Sequence, residues 1–157
     1  MTELSKMPWA EFSSQDIPAK AACLVEEGRL FHVLLAQQFD RSSLDSLGTL
    51  ATQIRFVAKS ETGMAFLRDL LAHKRVMLYF TQPSTRTFLS FCAACQILGM
   101  RIGEVRDTSV SSEFKGESQE DSVRTFSSYF DLIVMRSREG GLAELMAWVL
   151  STSERPV

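Results

Sequence analysis

The sequence predicts an α/β fold, a three-layer αβα sandwich around a mostly parallel central sheet. Short apolar runs of strand length recur at residues 75–80, 100–105 and 131–136. Each is followed, past a polar loop, by a segment whose apolar residues repeat at helical spacing. Strands that alternate with helices form parallel sheets covered on both faces, because each crossover helix packs back onto the sheet. With 157 residues and 45% hydrophobic composition, the chain has enough apolar material for one domain-sized core.

The elements follow in order. Pro18 suits a first helical turn and Gly28 a helix stop, so a helix is expected over residues 18–27. Residues 30–39 are apolar and fit strand or helix equally. Leu44, Leu47, Leu50, Ala51, Ile54, Val57 and Ala58 recur at helical spacing and form one apolar face. A shorter helix is expected over 63–71. The run at 75–80 reads as a buried strand, and the helix starting near Ser84 is expected to bury Phe88, Phe91, Cys92, Cys95 and Leu98 before Gly99 ends it. A second strand covers 100–105. Ser118 and Asp121 form a capping-box-like start to a helix with Val123, Phe126 and Phe130 on one side. A third strand and a helix over 142–150 follow, and residues 155–157 look like the start of another strand.

Composition excludes several classes of function. A formal net charge of -2 gives no general electrostatic grip on nucleic acid. No apolar stretch is long enough to span a bilayer, and residues 1–10 lack the apolar core of a signal peptide. The three cysteines, Cys23, Cys92 and Cys95, are an odd number that suits reduced thiols, so a cytoplasmic location is expected. Cys92 and Cys95 form a C-x-x-C, but on the apolar face of a helix with no second pair. They read as buried structural thiols rather than metal or redox groups. No cofactor or metal is expected, and His73 has no acid or nucleophile paired with it.

In an α/β sheet, ligands bind beyond the carboxyl ends of the strands. The loops after Phe80, Val105 and Met135 lie there. The densest chemistry is in the first of them, where Ser84, Thr85, Arg86 and Thr87 gather three hydroxyls and a guanidinium at a helix start. Helix-terminal amides and the helix dipole attract an anion, and Arg86 offers a fork suited to phosphate. The same pattern also fits a simple helix cap with a surface arginine. A second loop, 107–116, holds Ser109, Ser111, Ser112 and Lys115, and reads as a solvated loop or as a lid that carries Lys115 over an anion. Arg136 stands just past a strand end, where a cation could meet the ligand or form a surface ion pair.

Residues 80–87, followed by Ser90, Phe91, Leu98 and Gly99, resemble the Ser-Thr-Arg-Thr signature of the aspartate/ornithine carbamoyltransferases. The likeness continues through Ser111, Ser112, Lys115, Gly116 and Glu117, through residues 121–125, and through 131–136. It reaches back to His32 and covers residues 31–157, the amino-terminal carbamoyl-phosphate-binding domain, with residues 1–30 left as an extension. The resemblance implies transfer of a carbamoyl group from carbamoyl phosphate to an amine. Ser84, Thr85, Arg86 and Thr87 would hold the phosphate, and Arg136 would bind the carbamoyl phosphate and polarise its carbonyl. Ser111 and Lys115 would reach into a neighbouring subunit's site, making a homotrimer. Arg86, Arg136 and Lys115 would be catalytic. Lys115 before Gly116, and Arg136 followed by Glu139, Gly140 and Gly141, look like the aspartate branch.

The amino-acid co-substrate would be held by a second domain that this chain lacks. Gln82 stands where the family commonly has Glu or Lys, Phe88 replaces a frequent Arg and Cys92 a frequent Glu. Two alternatives stay open: a non-catalytic trimeric scaffold or ligand-binding module, and an ornithine-type transcarbamoylase.

Overall fold

The computed structural model describes residues 4–26, 28–106 and 118–152. The chain opens with helices α1 (Trp9–Ser14) and α2 (Ile17–Cys23) and a hairpin of two short strands, β1 (Val25–Glu26) and β2 (Arg29–Leu30). Two longer helices follow, α3 (Arg41–Val57) and α4 (Glu61–Leu70). Strands and helices then alternate: β3 (Arg75–Phe80), α5 (Thr85–Ile97), β4 (Arg101–Val105), α6 (Gln119–Tyr129), β5 (Leu132–Arg136) and α7 (Leu142–Ser151).

Strands β3, β4 and β5 form one parallel sheet in the order β4-β3-β5. The central strand is buried from Val76 to Phe80, which explains its unbroken apolar run. Its side chains alternate between two cores. Val76, Leu78 and Phe80 meet Phe88 and Cys95 of α5 on one face. On the other, Val123 of α6 and Leu142, Met146 and Leu150 of α7 pack with Ile133 and Met135 of β5, and the Tyr79 ring lies 5.4 Å from Phe126. Helix, sheet and helix are the three layers expected. Each of these aliphatic side chains contributes about 1.5–3 kcal/mol by leaving water.

Asp131 locks the β3–β5 register at its start. Its backbone amide donates to the Arg75 carbonyl at 2.8 Å, its carboxylate accepts from the Arg75 amide at 2.8 Å, and Lys74 pairs with it at 3.2 Å. The Arg75 amide, and then Lys74, hold the Asp131 carboxyl below the usual carboxylate range. At the far end of the same ladder, Phe80 stands opposite Arg136.

The amino-terminal segment is packed onto the domain. Leu4, Phe12, Cys23 and Leu24 form a core with Ala147 of α7. The Trp148 indole donates to the Met7 carbonyl at 2.7 Å, and Lys20 pairs with Glu144 at 2.7 Å. Just beyond, His32 is buried with its Nε2 3.0 Å from the Ser151 hydroxyl. Gln38 fixes the apolar stretch around it, accepting from the Leu34 and Leu35 amides and donating to the His32 carbonyl.

Several expectations need correction. The first helix stops at Cys23, and Gly28, with φ 75°, turns the hairpin instead of ending a helix. The stretch 30–39 is mainly extended, with one short helical turn at Ala36–Gln38. Helix α3 forms where the periodicity puts it, but Leu44, Leu47 and Leu50 are each about half exposed and no residue of α3 is buried. In α5, Phe88 and Cys95 are buried and Cys92 packs beside them, whereas Phe91 is 42% exposed. Phe91, about 60° around the helix from Phe88, lies at the edge of the sheet-facing stripe. Residues 155–157 lie outside the described residues.

Two predictions follow. Burial lowers the His32 imidazole from its ordinary 6.5 to about 4. Between those values the unfolded chain binds a proton that the folded chain refuses, so stability falls as pH falls. By about pH 5 the wild type should lose about 2 kcal/mol in urea denaturation relative to about pH 7.5, and His32→Gln should flatten that slope. Gly99 has φ 78°, and an added Cβ would stand 1.8 Å from the Arg68 carbonyl oxygen. Gly99→Ala should therefore cost at least about 1–2 kcal/mol in the same assay.

Candidate functional site

The parallel register brings two strand ends and one helix start together. Strand β3 ends at Phe80, and the turn 81–84 leads into α5. Strand β5 ends beside it at Arg136. Two bonds tie the turn to that strand: the Gln82 amide donates to the Arg136 carbonyl at 3.2 Å, and the Thr81 hydroxyl donates to the same oxygen at 3.4 Å. Ser84, Thr85, Arg86 and Thr87 are thus held at the carboxyl edge of the sheet next to Arg136.

Helix α5 begins without a side-chain cap. Asp16, Asp40, Ser60 and Ser118 each accept a hydrogen bond from an amide in the first turn of α2, α3, α4 and α6. Ser84 occupies the corresponding position on α5 and makes no such bond; its hydroxyl donates to the Thr87 hydroxyl at 2.9 Å instead. First-turn amides have no partner within the helix. A cap that turns aside leaves them available to an external acceptor, in the field of the helix dipole. Thr85 and Arg86 are exposed at this end, and Ser84 and Thr87 are half-buried.

Arg136 supplies the second element. Its Nε is buried and has no hydrogen-bond partner among the described residues. A buried donor without an acceptor costs about 1–3 kcal/mol. A buried donor left without an acceptor calls for a specific explanation, and a bound anion is one that fits the position of Arg136. The chemistry best suited to it is an anion with several acceptor oxygens.

Strand β4 adds a residue that the sequence reading passed over. Arg106 follows its last residue, and its guanidinium lies 4.4 Å from the centroid of the Phe88 ring. Arg106 shares a cavity of about 290 Å³ with Phe80, Pro83, Ser84 and Phe88. The signal was present, since Arg106 stands just past a strand end as the rule that selected Arg136 requires. Ser111 and Lys115 lie outside the described residues. Cys92 and Cys95 are on the packed face of α5, away from its start, and burial, together with the neighbouring Cys92, raises the Cys95 thiol.

Residues 32–157 match the family described as aspartate/ornithine carbamoyltransferase, carbamoyl-P binding domain. The chain is 38% identical over 143 residues to a chloroplastic aspartate carbamoyltransferase of Oryza sativa subsp. japonica, covering 87% of this chain and 38% of that protein. It is 39% identical over 116 residues to the aspartate carbamoyltransferase catalytic subunit of Methanosarcina acetivorans, covering 74% of this chain and 36% of that one. The aspartate transcarbamoylase of Trypanosoma cruzi, solved in complex with carbamoyl phosphate, superposes with a TM-score of 0.67 at 32% identity, over 80% of this chain and 38% of that one. The chain therefore spans less than half the length of the relatives it matches.

The unpartnered Arg136 makes a test. Arg136→Met removes a buried orphan donor while keeping an unbranched apolar stem as far as the Nε position. It should leave stability in urea unchanged or raise it by up to about 1–2 kcal/mol, where loss of a structural ion pair would lower it by at least that much.

Proposed function

We propose that this chain, which belongs to the aspartate/ornithine carbamoyltransferase family, binds carbamoyl phosphate at the β3–α5 turn and serves in transfer of its carbamoyl group to the amino group of aspartate. The observation that carries this reading is the buried, unpartnered Arg136 donor beside an uncapped helix start. Carbamoyl phosphate offers what those groups lack: phosphoryl oxygens for the α5 amides and the hydroxyls of Ser84, Thr85 and Thr87, and a carbonyl oxygen for Arg136.

In the reaction, the amine nitrogen bonds to the carbonyl carbon and the bond from that carbon to the phosphate oxygen breaks. The phosphate leaves with the electron pair and takes up the proton that the amine gives up, and the products are N-carbamoyl-aspartate and phosphate. Negative charge grows on the leaving phosphate, where Arg86 would meet it, and on the carbonyl oxygen, where Arg136 would. Preorganised cations and amides stabilise such a transition state without moving, and no covalent nucleophile is needed.

The rest of the reading concerns the assembly. Residues 31–157 form the carbamoyl-phosphate-binding domain and residues 1–30 an extension of it. The aspartate is held by a second domain, as the greater length of the relatives supports. Ser111 and Lys115 complete a neighbouring subunit's site, so the working unit is a homotrimer. Its product feeds pyrimidine biosynthesis, and a cytoplasmic location suits cysteines that form no disulfide, although the rice relative is described as chloroplastic.

Calorimetric titration of the purified chain tests the binding step. Carbamoyl phosphate should bind saturably, and Arg86→Ala should weaken it by about 10- to 100-fold in a protein that still folds, since charge-assisted hydrogen bonds contribute about 1.5–3 kcal/mol each. Equal affinity in folded Arg86→Ala would remove the β3–α5 turn from the site.

A further inference from the structure

The three aromatic and cationic groups at the edge of the site form a stack. Phe88 is buried on α5 and meets Phe80 edge-on, with centroids 5.4 Å apart and planes at 90°. The Arg106 guanidinium lies over the Phe88 ring, 4.4 Å from its centroid. A guanidinium in contact with an aromatic face keeps its N–H donors directed around its rim, and the ring restricts where they point. The cavity beside that rim is bounded by Phe80, Pro83, Ser84 and Phe88. One wall of it is therefore the cap residue of the uncapped helix α5.

We propose that Arg106 is a further substrate-binding cation, held by Phe88 so that it contacts the phosphoryl oxygens of a ligand seated at the start of α5. This rests on the anion site described above and extends it to a residue from β4. Three strand ends then supply the site, with the β3 turn giving hydroxyls and amides, β5 giving Arg136 and β4 giving Arg106. The arrangement also gives Phe88 a role. Where the family signature frequently carries an arginine on α5 itself, this chain has a ring, and the cation that rests on the ring comes from the neighbouring strand. An exposed lysine would not substitute well, because it lacks the planar group that stacks on the ring.

The test is calorimetric titration of the full chain with carbamoyl phosphate and, separately, inorganic phosphate, with folding of each variant checked by thermal melting. Arg106→Ala should weaken both ligands by about 5- to 30-fold, consistent with loss of a charge-assisted contact at a partly exposed position. Arg106→Lys should recover less than half of that loss on a logarithmic scale. Phe88→Leu, which keeps the charge and loses the ring, should weaken binding several-fold and steepen its dependence on salt. Arg101→Ala, at the opposite end of β4, should leave both affinities unchanged. Wild-type affinity in Arg106→Ala, with Arg86→Ala still defective, would overturn the role of Arg106 and leave the anion site standing. Absence of binding by the folded wild type would overturn the anion site, and the Arg106 contact with it.

Discussion

The site depends on the register between β3 and β5. A parallel ladder can slip, and a slip of one residue would send every side chain to the opposite face. Here both ends are fixed. Asp131 exchanges two bonds with Arg75 at the start, and Arg136 receives two from the β3–α5 turn at the end. Between them, Val76, Leu78 and Phe80 are committed to the α5 core, and Ile133 and Met135 to the opposite one. Arg136 consequently has a single place, beside the turn. Its place beside that turn is set by packing along the whole length of the two strands.

The electrostatics of the site run against local stability. Four helices of this chain cap their own first turns with a side chain, whereas α5, which has Ser84 in the right position, does not. A cap is worth about 1 kcal/mol, and a buried unpartnered donor costs a similar amount or more. Both costs fall within one small region, at the carboxyl edge of the sheet. Local rules that fail together at one point indicate function. An anion that satisfied the α5 amides and Arg136 at once would offset both costs.

Much of this was legible in the sequence, for physical reasons that differ between elements. The run that became β3 was legible because the central strand is covered on both faces, so every residue from Val76 to Phe80 is apolar. Ser118 and Asp121 announced α6 through a cap that uses only local chemistry. The Ser84–Thr87 cluster stood out because its polar residues have no role in the core. The hairpin at Gly28 was hidden, since a glycine with positive φ serves a helix end and a turn equally well. The exposure of Leu44, Leu47 and Leu50 was also hidden: periodicity defines a face but not what covers it. Arg106 stands past a strand end as the sequence shows, but its contact with Phe88 was hidden, because only the β3–β4 pairing brings the two together.

The central claim is that one anion joins the start of α5 to Arg136. Nitrogen-15 NMR of the chain titrated with carbamoyl phosphate tests it most directly, because it observes the amides of Thr85, Arg86 and Thr87 and the Nε–H of Arg136 as separate signals. The account predicts that these four shift together along one saturation curve, with the Arg136 Nε–H moving downfield as it gains an acceptor. Saturable shifts confined to other surfaces, with the Arg136 signal unmoved, would contradict it.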